Sequence, residues 1–234
     1  MAAPRSLHMS PSILAADTAN LGAAVAAVQA AGAHSIHVDV MDGRYVDNFA
    51  FSPKNIDDLR RVTTLPLHAH LEVCDADRSV PLFTNADLII VQEDTTPDLA
   101  ATIARIRAAG CDVGVGVNPE RPLEPILSLL PQIDLLLLLA VAPGFGGQAF
   151  NPVVLEKART LAAHRAEIGL DFAIGVDGGI NAATIGAAAA AGVDLFVAGT
   201  GVFGGAATAH DPAAAIRENL AELTAAAVRM QAAG

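Results

Sequence analysis

The amino-acid sequence predicts an α/β fold, a (β/α)8 barrel of the TIM-barrel type formed by one domain. The chain has 234 residues with 53% hydrophobic content, which is enough to bury one large core. Short apolar segments alternate about eight times with Ala-rich or amphipathic stretches, and this alternation is typical of a parallel sheet covered by helices. No linker or low-complexity boundary interrupts it. An open, doubly wound parallel sheet is the alternative architecture.

The predicted strands are short apolar segments bounded by turn residues. They begin near Ser12, Ile36, Leu67, Leu88, Val113, Leu135, Phe172 and Leu195. The most apolar of them runs from Leu135 to Val141. It is far shorter than the roughly 20 residues that span a bilayer, so we interpret it as a buried strand.

The predicted helices lie between these strands at residues 20–31, 97–109, 152–168, 181–191 and 212–230. Several begin with Asn, Asp, Thr or Pro, and Gly32, Gly110, Gly169 and Gly192 end four of them, which are ordinary start and stop signals. We assign residues 1–9 to an N-terminal extension and residues 10–234 to a single barrel domain.

Charge and cysteine content exclude several classes of protein. The formal net charge is −11, and Lys54 and Lys157 are the only lysines, so neither a nucleic-acid backbone nor an anionic membrane surface is an expected partner. Two cysteines, Cys74 and Cys111, do not make a disulfide framework, and residues 1–10 lack the pattern of an export signal. These features predict a cytoplasmic protein.

Polar side chains lie at the carboxyl ends of three predicted strands, where barrels place their catalytic groups. Alternate residues of a strand share one face, so the second and third strands each present a polar face. The polar set consists of His37, Asp39, His68, His70, Glu72 and Asp177. One buried His or Asp is usually structural, but two imidazoles and two carboxylates together favour a zinc, iron, manganese or cobalt site.

Glycine-rich segments follow the last three predicted strands. They are "APGFGGQAF" at 142–150, "VDGGIN" at 176–181 and "VAGTGVF" at 197–203. Each is a weak signal alone, but turns after adjacent late strands commonly hold a phosphate group on backbone N–H groups. Such a site needs no cluster of Lys or Arg.

Seven motifs give the chain a resemblance to the ribulose-phosphate 3-epimerase family over nearly its whole length after Met9. They are "SPSILAAD", "HVDVMDGRYVDN", "HLEV", "VGVNPERPLE", "VAPGFGGQAF", "VDGGIN" and "VAGTGVF". The resemblance implies a ribulose-phosphate-binding (β/α)8 barrel and an isomerase that inverts C3 of a ketose phosphate. It also implies a divalent metal, with Zn²⁺ the leading candidate and Fe²⁺, Mn²⁺ and Co²⁺ the alternatives.

The resemblance also implies roles for particular residues. His37, Asp39, His70 and Asp177 would be the metal ligands, and Asp39 and Asp177 the two acid/base groups. Ser12 and His70 would contact the substrate, a small phosphorylated sugar. The residues expected around its phosphate are Gly144, Phe145, Gly146, Gly147, Gly178, Gly179, Gly199 and Thr200. The apolar composition, together with related barrels, predicts a homo-oligomer.

Six positions depart from the usual family pattern and leave the preferred sugar open. His68 and Glu72 stand where family members usually have Asp and Met, and Gln92 stands where they usually have His. Leu139 and Ala142 replace the usual Met and Asn, and Asp47 replaces the usual Pro. D-ribulose 5-phosphate is the leading substrate, and D-allulose 6-phosphate or another ketose phosphate comes next. Glu72 either contacts the substrate or pairs with His68 or a cation beneath the site.

Two other functional classes are considered. A phosphate-binding barrel lyase of the decarboxylase or aldolase type would be favoured by a lysine at a strand end, but neither Lys54 nor Lys157 ends a predicted strand. A barrel that binds a sugar phosphate without turnover would not require both Asp39 and Asp177. The sequence therefore favours an epimerase over both alternatives.

Overall fold

The computed structural model describes residues 5–231 and contains eight parallel strands in one sheet. The strands are β1 (His8–Pro11), β2 (Ile36–Met41), β3 (Leu67–Glu72), β4 (Leu88–Gln92), β5 (Asp112–Val117), β6 (Leu135–Leu139), β7 (Ala173–Asp177) and β8 (Leu195–Ala198). Seven of them begin within one residue of the predicted positions. The alternation of apolar segments was therefore a reliable guide to the strands.

The sheet closes on itself as a barrel. Its strand order is β1-β8-β7-β6-β5-β4-β3-β2, and an isolated parallel bridge between Ser12 and His37 joins β1 to β2. Next to this bridge, the backbone N–H of His34 donates to the carbonyl oxygen of Met9 at 2.9 Å. Closure confirms the predicted (β/α)8 barrel and excludes the open, doubly wound sheet.

The first strand begins earlier than the sequence indicates. It starts at His8 rather than near Ser12, and Met9 pairs with Phe196 of β8. The barrel therefore includes His8 and Met9, which the sequence analysis assigns to the N-terminal extension. Residues 1–4 of that extension, and 232–234 of the predicted domain, lie outside the described part of the chain.

Nine α-helices accompany the strands in the described chain. They are α1 (Leu21–Ala30), α2 (Pro53–Leu59), α3 (Ala76–Ser79), α4 (Leu99–Ala108), α5 (Glu124–Leu127), α6 (Val153–Ile168), α7 (Ile185–Ala190), α8 (Thr200–Phe203) and α9 (Pro212–Gln231). Short 3-10 helices occupy Ile13–Ala15, Thr18–Asn20, Val80–Leu82, Leu130–Gln132 and Ala206–Thr208. Within residues 5–231, no helix combines the length and the apolar character that crossing a membrane requires.

Helix α7 begins four residues later than predicted because polar side chains hold the preceding segment in a turn. The Asn181 side-chain oxygen accepts a hydrogen bond from the N–H of Ala183 at 2.9 Å, and the Thr184 hydroxyl donates to the carbonyl oxygen of Gly179 at 2.9 Å. Asn and Thr compete with a helix for the backbone in this way. The other four predicted helices are confirmed to within two residues at each end.

The barrel has two apolar layers. The larger one lies between the strands and the helices and includes the fully buried Phe172 and Phe196. The smaller one fills the barrel interior with side chains from β4, β6 and β8, namely Leu88, Ile90, Leu135, Leu137, Leu139, Leu195 and Val197. On β2 and β3 most of the corresponding inward positions are polar, so the interior is apolar on one side and largely polar on the other.

A partly buried ion pair joins α6 to the starts of β7 and β8. Arg165 and Asp194 are each about 10% exposed at the side chain, and Arg165 donates to both carboxylate oxygens. Asp194 also accepts a hydrogen bond from the backbone N–H of Ile174 at 2.9 Å. Removal of Asp194 would leave the Arg165 guanidinium group without its carboxylate, although that group still donates to the carbonyl oxygen of Phe172, and it would leave a buried N–H group without a partner.

We therefore expect Asp194→Ala to lower the free energy of unfolding by about 3–5 kcal/mol, measured by urea denaturation. Asp58→Ala is the matched control, because Asp58 pairs with Lys54 and Arg61 on the exposed surface of α2. It should cause a far smaller change. Equal effects of the two substitutions would contradict a stabilising role for the buried pair.

Candidate active site

The register of β2 against β3 brings the predicted polar residues together. His37 pairs with His68 and Asp39 pairs with His70, so their side chains project into the interior at neighbouring positions. Asp177 ends β7, on the other side of β1 and β8. Potential ligand atoms of His37, Asp39, His70 and Asp177 all lie within 4.8 Å of one another. The four predicted metal ligands therefore form one cluster.

The spacing within this cluster suits a small divalent ion. His37 Nε2 lies 3.2 Å from His70 Nδ1 and 3.2 Å from Asp39 Oδ1. His70 Nδ1 lies 3.5 Å from Asp39 Oδ1, and Asp177 Oδ2 lies 3.7 Å and 3.8 Å from the two imidazole nitrogens. Ligands at about 2.0–2.1 Å from a tetrahedral ion are about 3.3–3.4 Å apart. The donor types and distances therefore fit such an ion.

Neighbouring groups orient two of the four side chains. The Ser12 hydroxyl donates to Asp39 Oδ2 at 2.6 Å, which leaves Oδ1 facing the imidazoles. The Gln92 amide lies 3.0 Å from His70 Nε2, and the two ends of an amide are interchangeable in such an assignment. With its oxygen towards the ring, Gln92 accepts the Nε2 proton, so that the His70 Nδ1 lone pair points into the cluster.

The two aspartates have pKa values that move in opposite directions. Burial favours the neutral form of Asp39, but the adjacent His37 and His70 outweigh it and lower the pKa of Asp39. Burial, together with the negative charge of Asp39, raises the pKa of Asp177 to about 7. In the metal-free protein, Asp39 is therefore ionised at neutral pH, whereas Asp177 gains and loses its proton in that pH range. Such a pair is equipped for acid/base chemistry.

A pocket opens above the cluster, and glycine-rich turns line its opposite wall. Nearly all the predicted substrate-contacting residues line it: Ser12, Gly144, Phe145, Gly146, Gly147, Gly178, Gly179, Gly199 and Thr200. His70, the remaining one, is fully buried beneath the floor together with His37. The turns after β6 and β7 lie so close that a Cβ atom on Gly179 would be 2.5 Å from the Phe150 nitrogen. Only glycine permits this approach.

Contacts between the loops that follow the strands are one feature that the sequence analysis missed, and among the residues that make them Gly144 lines the pocket. The Asn48 side chain donates to the carbonyl oxygen of Gly144 at 2.8 Å. The Tyr45 hydroxyl donates to Asp94 at 3.0 Å and accepts from Asn118 at 2.7 Å. Loops after four different strands are joined in this way. The positions give no periodic signal, because the partners are 49–96 residues apart.

Met41 is a second residue that the sequence analysis missed, although its signal was available. It lines the pocket, and it lies two residues after Asp39 on the inward face of β2. The period-two rule that places His37 and Asp39 on one face places Met41 there as well.

The structure places the family departures in different environments. Leu139 and Ala142 line the pocket, Gln92 is buried beside His70, and Asp47 is exposed. Glu72 lines the pocket and is only 2% exposed. Burial is the largest cause that raises the pKa of Glu72, and the negative charges of Asp39 and Asp177 add to it. Together they raise this pKa to about 9.

A pairing of Glu72 with His68 is wrong. Within the described residues, neither Glu72 Oε2 nor His68 Nδ1 has a hydrogen-bond partner. The two residues are four positions apart on β3, which separates their Cα atoms by about 13 Å. Glu72 is two residues nearer the carboxyl end of β3 than His70, so it lies on the open side of the cluster and not beneath it.

Comparison with known proteins identifies relatives that match most of the chain. The sequence profile of the Ribulose-phosphate 3 epimerase family matches residues 8–203. Ribulose-phosphate 3-epimerase of Mycobacterium tuberculosis H37Rv is 43% identical over 210 residues, which cover 89% of each chain. The Bacillus subtilis protein of the same name is 41% identical over 201 residues, which cover 85% of this chain and 93% of the relative.

Solved structures show the same barrel at much lower sequence identity. Thiamine phosphate pyrophosphorylase from Pyrococcus furiosus superimposes with a TM-score of 0.63 at 17% identity, covering 97% of each chain. This likeness supports the fold alone, whereas the profile match and the relatives above 40% identity define the family. The chain belongs to the ribulose-phosphate 3-epimerase family and is therefore identified as an isomerase of the epimerase type.

Proposed function

We propose that the protein is a metal-dependent epimerase that inverts C3 of a ketose phosphate, with D-ribulose 5-phosphate as the leading substrate. The observation that carries this proposal is the cluster of two carboxylates and two imidazoles at the floor of a pocket with glycine-rich turns. A ribulose phosphate is favoured because these relatives are named ribulose-phosphate 3-epimerase, and a 42% identical relative from Arabidopsis thaliana is named ribulose-5-phosphate-3-epimerase. D-allulose 6-phosphate is the alternative, since Glu72, Leu139 and Ala142 change the pocket wall.

His37, Asp39, His70 and Asp177 would hold the ion, for which Zn²⁺ is the leading candidate and Fe²⁺, Mn²⁺ and Co²⁺ are alternatives. A bound divalent ion would make the C3 proton more acidic by polarising the neighbouring carbonyl and hydroxyl oxygens. The Ser12 hydroxyl, which donates to Asp39, holds that carboxylate in one orientation and is close enough to the pocket to contact substrate.

The two aspartates would move the proton. Asp39 comes from β2 and Asp177 from β7, which are three strands apart around the barrel, so their carboxylates approach the pocket floor from different sides. One carboxylate removes the C3 proton, and the other returns a proton from the opposite face of the planar intermediate. Inversion of configuration follows from this geometry.

Backbone N–H groups would bind the phosphate. The turns that carry Gly144–Gly147, Gly178, Gly179, Gly199 and Thr200 surround one side of the pocket. Among the pocket-lining residues there is no lysine or arginine, so phosphate binding would depend on amide donors, as is common in barrels of this type.

The positions of the two lysines disfavour a Schiff-base or related lyase. Lys54 pairs with Asp58 on α2. The Lys157 ammonium group donates to the carbonyl oxygens of Asn118, Pro119 and Arg121, outside the pocket. Neither reaches the pocket floor. A single catalytic domain, a cytoplasmic location and a homo-oligomeric state stay predictions from the sequence.

Protein purified without a chelator should contain about one divalent ion per chain, as measured by elemental analysis. We expect His37→Ala and His70→Ala each to lose most of this metal, because each removes one of four ligands. His210→Ala is the control, since His210 is exposed and far from the cluster in the sequence. Fully active protein without stoichiometric metal would show that the site is wrongly assigned.

Asp39→Asn and Asp177→Asn should each lower kcat/KM for C3 inversion by at least about 10²-fold, because each removes one proton carrier. A variant that keeps its metal should still exchange the C3 proton of one epimer with solvent, which deuterium incorporation measured by NMR detects. Asp58→Asn, on the surface of α2, is the control and should behave like the native enzyme. Near-native inversion by either active-site variant would rule out the two-base scheme.

A further inference from the structure

Glu72 is a buried acid in the pocket wall whose role the two-carboxylate scheme leaves unexplained. Its side chain projects from the inward face of β3, is 2% exposed and lines the same pocket as Asp39 and Asp177. In the described chain, Glu72 Oε2 is buried without a hydrogen-bond partner. A buried oxygen of this kind loses its bonds to water on folding, and a polar partner must replace them to recover that free energy.

Within the described residues, no side chain forms a hydrogen bond with this oxygen. Met41, opposite Glu72 in the β2–β3 register, offers a thioether that is at best a weak acceptor. The charged groups that act on Glu72 are the carboxyl groups of Asp39 and Asp177, which have the same sign of charge. A molecule that enters the pocket would supply such a compensating group.

The position of Glu72 indicates which part of that molecule it meets. Strands β3 and β7 are four strands apart in either direction around the eight-stranded barrel, so Glu72 lies across the pocket from the turn after β7. That turn carries Gly178 and Gly179 of the proposed phosphate site. A linear molecule with its phosphate at those glycines and its reacting carbon over the metal cluster directs its other end towards Glu72.

We propose that Glu72 determines specificity by hydrogen bonding to the substrate hydroxyl group at the end remote from the phosphate. This inference rests on the proposed function, and for a ketose phosphate the group is the C1 hydroxyl. A hydroxyl group both donates and accepts a hydrogen bond, so it satisfies a carboxyl oxygen in either protonation state. The site therefore selects ketose phosphates that end in a hydroxymethyl group over those that end in a methyl group.

The test compares a ketopentose 5-phosphate with its 1-deoxy analogue, which keeps the C2 carbonyl and the C3 hydroxyl. We expect the native enzyme to prefer the hydroxylated sugar by about 10²-fold or more in kcat/KM, read from C3 proton exchange by NMR. In Glu72→Met this preference should fall to within about threefold of unity, because no group is left unpaired when the hydroxyl is absent. Glu72→Gln, which still has a hydrogen-bonding group, should retain most of the preference.

Two further measurements separate specificity from stability and from the reaction itself. Calorimetric dissociation constants for the two sugars should show the same ratios without requiring turnover, while metal content and melting temperature report whether each variant is intact. Glu218→Met, the same change on the exposed surface of α9, is the control and should keep the native preference.

The possible failures are distinguishable. If native protein and Glu72→Met discriminate equally between the two sugars, Glu72 does not recognise that hydroxyl group. If Glu72→Met does not fold, Glu72→Ala takes its place. A native ratio between its dissociation constants for the two sugars overturns the inference, and a ratio near unity supports it. If the native protein epimerises no ketose phosphate, the proposed function fails first, whatever Glu72 does.

Discussion

Two carboxylates and two imidazoles share a few ångströms of barrel interior, and the structure of the site depends on how their charges are compensated. His37 and His70 are fully buried, and Asp39 is nearly so. Two buried carboxylates repel each other, and without a cation the conflict is resolved by protonation, as the opposite pKa shifts of Asp39 and Asp177 indicate. A divalent ion would remove that conflict, because it would attract both carboxylates and accept both imidazole lone pairs.

Apolar side chains on one side of the barrel interior make it possible for the other side to be polar. Leucine, isoleucine and valine side chains from β4, β6 and β8 fill the space beside the polar residues, so the barrel is packed although β2 and β3 contribute few apolar groups to it. Gly116 on β5 provides room for Gln92, whose side chain would be 2.7 Å from a Cβ atom at that position. Gln92 can then reach His70, which links packing on β5 to the orientation of the His70 ring on β3.

Local sequence patterns were sufficient for most of the fold and for the polar side chains at the strand ends, whereas the choice of four metal ligands among them came from the family resemblance. Period-two alternation placed His37 and Asp39 on one face of β2, and His68 and His70 on one face of β3. The carboxyl ends of barrel strands converge on one site irrespective of the loop sequences. Alternation could not locate the start of β1, because a strand of four residues is too short to show a clear period. Its bounds depend on its pairing with β8, almost 190 residues later in the chain. It also could not show that Glu72 is unpaired or that Tyr45 joins three loops, since both depend on contacts between segments distant in sequence.

The absence of lysine and arginine from the pocket lining has a physical reason that connects the proposed phosphate site to the proton carriers. A flexible cation beside Asp39, Asp177 and Glu72 would pair with a carboxyl group and lower its proton affinity. Two cations of the described chain are held elsewhere, since Lys157 donates to three backbone carbonyl oxygens and Arg121 pairs with Glu93. Backbone N–H groups in glycine turns attract a phosphate without being able to move towards a carboxylate. Under the proposed function, such a pocket would hold a dianionic substrate while its acids remain free to exchange protons.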